Sequence, residues 1–175
     1  MVGDLFAAAG LRKLPAGRSD YDRVMTEWGG PTLFCFDGSD GSRAALGAAA
    51  RRLRPGPAIV LTVWETVALR MASQAFAVAA PIDNEAELDG QEVTAARAAA
   101  EEGARLAREH GWDAEPRLAM ARSTTWGAIV EVANELDASL VVCGTRGLSG
   151  VRGFVLGSVS HAVLHRMPCP VLAFH

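Results

Sequence analysis

Short runs rich in apolar residues alternate along this chain with stretches whose apolar residues recur every three or four positions. The runs are TLFCF (32–36), AIVLTV (58–63), AEPRLAM (114–120), SLVVC (139–143) and PVLAF (170–174). Their length and their branched and aromatic content predict five strands. Helical spacing appears between them. Leu46, Ala49, Ala50 and Leu53 share one face. So do Val93, Ala96, Ala100, Ala104 and Ala107; Trp126, Ile129, Val130 and Ala133; and Val159, Ala162 and Val163. Four amphipathic helices are predicted, each with a stripe turned to a core.

Punctuation agrees with this division. DGSDGS (37–42) is a turn and helix start, and Pro55-Gly56-Pro57 ends the first helix. Arg51, Arg52 and Arg54 crowd that helix end, where cations meet the negative end of the dipole. His110-Gly111 stops the second helix, whose strong signal begins at Gln91. Ser123, Thr124 or Thr125 can cap the third. Pro116 lacks an amide hydrogen, so its strand belongs at a sheet edge or Pro116 near a strand start. A long connection runs from Trp64 to about Gly90, carrying Met71, Phe76 and Val78. A connection of that length suggests a role such as a lid. Residues 1–30 hold several glycines and no strand pattern; they are expected to form an extension, loosely ordered or with one short helix around Leu5 to Leu11.

The order is therefore βαβαβαβαβ. Alternation of this kind implies parallel strands joined by right-handed crossovers. SLVVC is apolar throughout, as a central strand covered on both faces must be. The expected fold is a single doubly wound α/β domain over residues 31–175, a five-stranded parallel sheet with helices on both faces. Such sheets bind ligands beyond the C-terminal ends of their strands, where the strand order reverses.

Composition narrows the function. Half of the 175 residues are hydrophobic and the net charge is −3, so there is a core to bury and no basic stripe for nucleic acid. No apolar stretch reaches the length of a membrane span, and the N-terminus does not read as a signal peptide. Cys35, Cys143 and Cys169 are odd in number and form no CxxC pair, which argues against a zinc or disulfide framework and fits a reducing cytoplasm.

The chemistry concentrates in GTRGLSGVRGFVLGSVS (144–160). Gly144 follows a strand, and Gly157-Ser158 opens a helix. Glycine lets backbone N–H groups approach a phosphate without a Cβ in the way, and a helix start adds donors and a positive dipole end. Ser158 offers a hydroxyl; Arg146 and Arg152 offer charge. The segment lacks the lysine of a P-loop and the spacing of the dinucleotide fingerprint. On spacing alone it remains either a phosphate cradle or a flexible connection.

Gly144, Gly147, Gly157 and Ser158 fit the pattern G-x2-G-x9-G-[ST]. With the opening TLFCFDGSDGSRAAL and the close MPCPVLAF, residues 31–175 resemble the ATP-binding branch of the universal stress protein family. The resemblance implies strand order 3-2-1-4-5. It implies a bound adenine nucleotide, ATP or else ADP, AMP or cyclic AMP, with Mg2+ or Mn2+ riding on the phosphates. It places Cys35 and Asp37 beside base and ribose and Val63 against the adenine ring. Gly144, Thr145, Arg146, Gly147, Leu148, Ser149 and Gly150 would wrap ribose and phosphates, and Ser158, Val159 and Ser160, behind Gly157, would hold the phosphates. It implies a homodimer through the last strand, Val171 to Phe174. Two departures from the family stand out. Ser123-Thr124-Thr125-Trp126 replaces a usual glycine and proline, and Trp64 stands where a histidine or acid is common.

The favoured function is a stress-response regulator that holds ATP with little or no turnover. A slow ATP-hydrolysing or adenylating enzyme is the alternative. DGSDGS, however, lacks the paired glycines of adenylating relatives, and the loop has no lysine. A nucleotide-free interaction protein and a flavin binder are further readings; the intact glycine motif opposes the first, and the absence of a phosphate loop after strand one opposes the second. His161 and His165 have the spacing of a helical metal pair, a spacing also common by chance.

Overall fold

Central strands with two apolar faces must be covered twice, and the chain does this with two helical layers. The computed structural model describes residues 29–73, 84–145 and 157–174. In order they form β1 (Thr32–Cys35), α1 (Asp40–Arg52), β2 (Pro57–Trp64), α2 (Val67–Ser73) and α3 (Glu85–Glu109). Then come β3 (Asp113–Met120), α4 (Thr125–Glu135), β4 (Leu140–Gly144), α5 (Ser158–Arg166) and β5 (Val171–Phe174). All strand pairings are parallel and the sheet order is β3-β2-β1-β4-β5, as expected. Pro116 lies in β3, which among the described residues pairs with β2 alone and is an edge.

The alternation of side chains along β1 and β4 divides the core in two. Phe34, Phe36, Val60 and Val142 face α1 and α3, where they meet Leu46, Ala49, Ala104 and Ala107. Leu33, Leu61, Val141 and Cys143 face the other way, onto Ile129, Val132 and Ala133 of α4 and Val163 of α5. Trp112 closes the first layer. Its ring meets Phe34 edge to face at 5.1 Å, and its Nε1 donates to the Ala50 carbonyl at 3.4 Å.

Small residues set how closely α3 approaches the sheet. A Cβ at Gly103 would stand 2.7 Å from Val60 Cγ1 and 2.9 Å from Phe36 Cγ. The alanines of this helix serve the same end, so the alanine-rich composition is a packing device.

Three expectations are corrected. The connection after β2 contains α2, begun by Thr66, whose Oγ1 accepts from Leu69 N at 3.1 Å. Helix α3 starts at Glu85, not Gln91; its first turns carry Glu85, Glu87 and other exposed residues, so no apolar stripe marks them. Val130 is only half-buried, and Ala128 and Val132 take the inner face with Ile129 and Ala133. Val159 and Ala162 are likewise half-buried, with Val163 fully inside. Thr124 is the cap of α4, its hydroxyl accepting from Gly127 N at 3.1 Å. The expected extension lies outside the described residues except for Gly29 and Gly30, as do Phe76 and Val78. Among the described residues no helix is long and apolar enough to cross a membrane.

Glycines in one helix should therefore respond oppositely to alanine. Gly103→Ala gains about 1 kcal/mol of helix propensity but overpacks the core by about 1–3 kcal/mol, and a net loss of stability is expected. Gly90→Ala meets nothing within 4 Å and should stabilise. Urea unfolding of both variants reads the sign; stabilisation by both would refute the close approach.

Candidate functional site

Each strand delivers its last residues to one edge of the sheet, and a cavity of about 740 Å³ opens there. That volume lies within the usual range of small-molecule sites, roughly 300–1,000 Å³. It spans the ends of β1, β2 and β4, at the point where strand order reverses. All nine described residues singled out from the sequence line it: Cys35, Asp37, Val63, Gly144, Thr145, Gly157, Ser158, Val159 and Ser160. Arg146, Gly147, Leu148, Ser149 and Gly150 lie outside the described residues, as does Arg152.

The β1 end is held by its own turn. Asp37 Oδ1 accepts from Ser39 N at 3.0 Å and from Ser39 Oγ at 2.6 Å. Ser39 caps α1 in turn, its Oγ accepting from Ser42 N at 3.1 Å. Asp37 is thus both a turn residue and a cavity-lining carboxylate. Beneath it, Thr62 Oγ1 donates to the buried Phe36 carbonyl at 2.7 Å, fixing where β1 leaves the sheet.

The β4 end leads to α5 through backbone contacts. Thr145 N donates to the Phe174 carbonyl at 2.8 Å, and Gly157 N donates to the Thr145 carbonyl at 2.9 Å. Ser160 Oγ donates to Thr145 and Gly157 carbonyls at 3.2 and 3.0 Å. Gly157 is the N-cap of α5 and supplies no side-chain acceptor to its first turn. The opening N–H groups of an α-helix have no partner within the helix. Here Ser158, Val159 and Ser160 bring that turn to the cavity. A Cβ on Gly157 would sit 3.3 Å from the Thr145 carbonyl, so this close turn favours glycine.

The β2 end and its helices form the third wall, largely unforeseen in the sequence. Trp64, Glu65, Arg70 and Glu92 line the cavity with Ala95 and Ala99 of α3. Glu65 Oε1 accepts a short hydrogen bond from Thr125 Oγ1. Arg70 and Glu92 form an ion pair at 2.8 Å, and the Arg70 hydrogen bond holds the Glu92 carboxyl below its ordinary range. Val67 N donates to Asp89 Oδ1 at 2.8 Å, so α2 is pinned to α3 twice. The acidic first turn of α3 is the signal that could have extended the helix to this wall. Nothing local to Glu65 marks a partner sixty residues away.

The cysteines are free thiols. Burial pushes the Cys143 and Cys169 thiols up to about 11. Cys35 keeps some exposed area toward the cavity, yet desolvation, ahead of the neighbouring thiols and Asp37, holds it well above its ordinary value. All three are therefore poor nucleophiles. Trp126 packs on the α4–α5 core beneath the Arg166 guanidinium, 4.5 Å from its ring centre, and is not a cavity residue. His161 and His165 are exposed, with ring centres 4.6 Å apart. Among the described residues no group of three or more His, Cys, Asp and Glu is placed to hold a metal.

Known proteins share this architecture. The universal stress protein YxiE of Bacillus subtilis (strain 168) is 33% identical over 148 residues, 80% of this chain and 95% of that one. A putative universal stress protein of Staphylococcus saprophyticus is 48% identical over 42 residues; the chain spans 25% of that relative's length. A universal stress protein solved in complex with cAMP superposes with a TM-score of 0.56 at 25% identity, covering 83% of this chain and 97% of that one. The universal stress protein of Archaeoglobus fulgidus, solved with dAMP, gives 0.59 at 22% identity, with the same coverage. Residues 31–175 match the model of the universal stress protein family, and with the sheet order above they establish that the chain belongs to it.

Proposed function

We propose that this chain is a stress-response regulator that binds an adenine nucleotide, ATP, across the C-terminal edge of its sheet. The observation that carries the reading is the first turn of α5: it begins at a glycine, has no side-chain cap, and opens into a cavity of nucleotide size. Donors left over by the helix and the positive end of its dipole suit a phosphate. The solved relatives with cAMP and dAMP support an adenine nucleotide as the ligand.

In this reading Ser158, Val159 and Ser160 hold phosphate oxygens, and Gly157 keeps the space clear. Gly144, Thr145 and the segment Arg146, Gly147, Leu148, Ser149 and Gly150 wrap ribose and phosphates. Asp37 faces the ribose, and Cys35 and Val63 face the base. Mg2+ or Mn2+ would ride on the phosphates and screen their charge. The nucleotide unit is residues 31–175, with 1–30 as an extension, and the protein works in the cytoplasm. Turnover is low. The loop brings no lysine, Asp37 is already engaged by Ser39, and the cysteines are held protonated. Among the described residues strand β5 pairs with β4 on one side only. Its other edge suits a second copy of the chain, paired through Val171 to Phe174.

Three outcomes are expected. Gly157→Val should weaken ATP binding in calorimetry by tenfold or more, since its branched side chain crowds the Thr145 carbonyl; a well-folded variant of unchanged affinity would contradict the phosphate placement. Phosphate release should stay far below about one per second, the low end of ordinary enzymes; faster release would favour the hydrolase. Sedimentation at micromolar concentration should give twice the chain mass, and a monomer there would dismiss the β5 pairing.

A further inference from the structure

Three polar features stand in a row along the cavity. Glu65 follows β2, Asp37 follows β1, and Ser158 opens α5 after β4. The order β2-β1-β4 sets the end of β1 between the other two strand ends, with neighbouring strands about 4.8 Å apart. A nucleotide has the same succession of three parts, running from phosphate through ribose to base. With phosphate at Ser158 and ribose near Asp37, the base reaches the β2 end.

Glu65 is prepared for a donor there. Thr125, the first residue of α4, donates its hydroxyl to Oε1 and ties the carboxylate to a helix start that Thr124 caps. An ionised carboxylate only accepts, through two oxygens with about four lone pairs. The bond from Thr125 uses part of that capacity, and what is left can meet only another donor. Asp37 differs, since Ser39 donates to it twice. The cavity also offers surface for a flat ring: the indole of Trp64 and the small side chains Ala95 and Ala99 line it across from the α4 face that holds Glu65. Purines differ at this edge. At C6 adenine presents an amine, whereas hypoxanthine presents a carbonyl oxygen there and moves its donor to N1.

Resting on the nucleotide reading above, we infer that Glu65, positioned by the Thr125 hydroxyl, selects the base. Its carboxylate accepts from the 6-amine of adenine and repels the 6-carbonyl oxygen of hypoxanthine. A site built to pair a polar group discriminates strongly against the analogue that cannot make the bond. Glu65→Gln keeps size and shape, but its amide turns to serve either base.

The test is calorimetry of the full chain with ATP and with ITP. The unchanged protein should prefer ATP by about tenfold or more, the scale of one hydrogen bond to a charged group. Glu65→Gln should bring the two affinities within about threefold, mainly by admitting ITP. Thr125→Val, which loosens the carboxylate without removing it, should give an intermediate ratio. Thermal unfolding by circular dichroism verifies that both variants fold. Equal affinities in the unchanged protein, an undiminished ratio in Glu65→Gln, or equal weakening of both ligands would each overturn the assignment while leaving nucleotide binding intact. Failure of the unchanged protein to bind either ligand would remove the nucleotide reading, and base selection with it.

Discussion

Strands β1 and β4 lie side by side but hand their chains to opposite layers, and the site depends on that parting. From β1 the chain turns through Asp37 and Ser39 into α1, on the face of Phe34 and Val142. From β4 it passes Thr145 and reaches α5, on the face of Leu33 and Val141. Right-handed crossovers leave no other route for strands ordered in this way. Between the two strand ends the described residues leave a gap. The cavity follows from topology, and its chemistry from the residues set at its rim.

Those residues make the cavity electrically uneven. At one end the first turn of α5 offers N–H groups and a positive dipole end, with glycine instead of a capping side chain. Contrast α1 and α4, whose starts are closed by Ser39 and Thr124. At the other end stand Glu65 and Glu92, the second neutralised by Arg70. Apolar surface from Val63, Ala95 and Ile129 lies between. A molecule with an anionic tail and a flat, donor-bearing head matches this arrangement in one direction. The pinning of α2 to α3 through Arg70 and Asp89 keeps the acidic wall in place.

Much of the fold was legible because burial leaves periodic marks. The run SLVVC suited a strand covered on both sides, and Pro116 asked for a sheet edge or a strand start, of which β3 supplies the edge. The strand order came from family likeness, since crossover rules alone leave several orders open. Helix α2 went unseen because its seven residues are too few to show a period, and the first turns of α3 because exposed segments have no apolar stripe; capping by Thr66 and the acidic start at Glu85 were their faint local signals. In the site, glycine spacing and helix starts are local, so Gly144, Gly157 and Ser158 could be picked out. Glu65 could not, because its meaning comes from Thr125 across the cavity. Trp126, read from the sequence as part of its helix's apolar stripe, packs against the core under Arg166.

The central claim is that peptide nitrogens at the start of α5 bind phosphate, and amide NMR reads those atoms directly. In an ATP titration of isotopically labelled protein, the Gly157, Ser158, Val159 and Ser160 amides should shift together, saturate at a single affinity, and shift far less with adenosine, which has no phosphate. Amides of α5 that stay in place while nucleotide binds elsewhere would contradict the account.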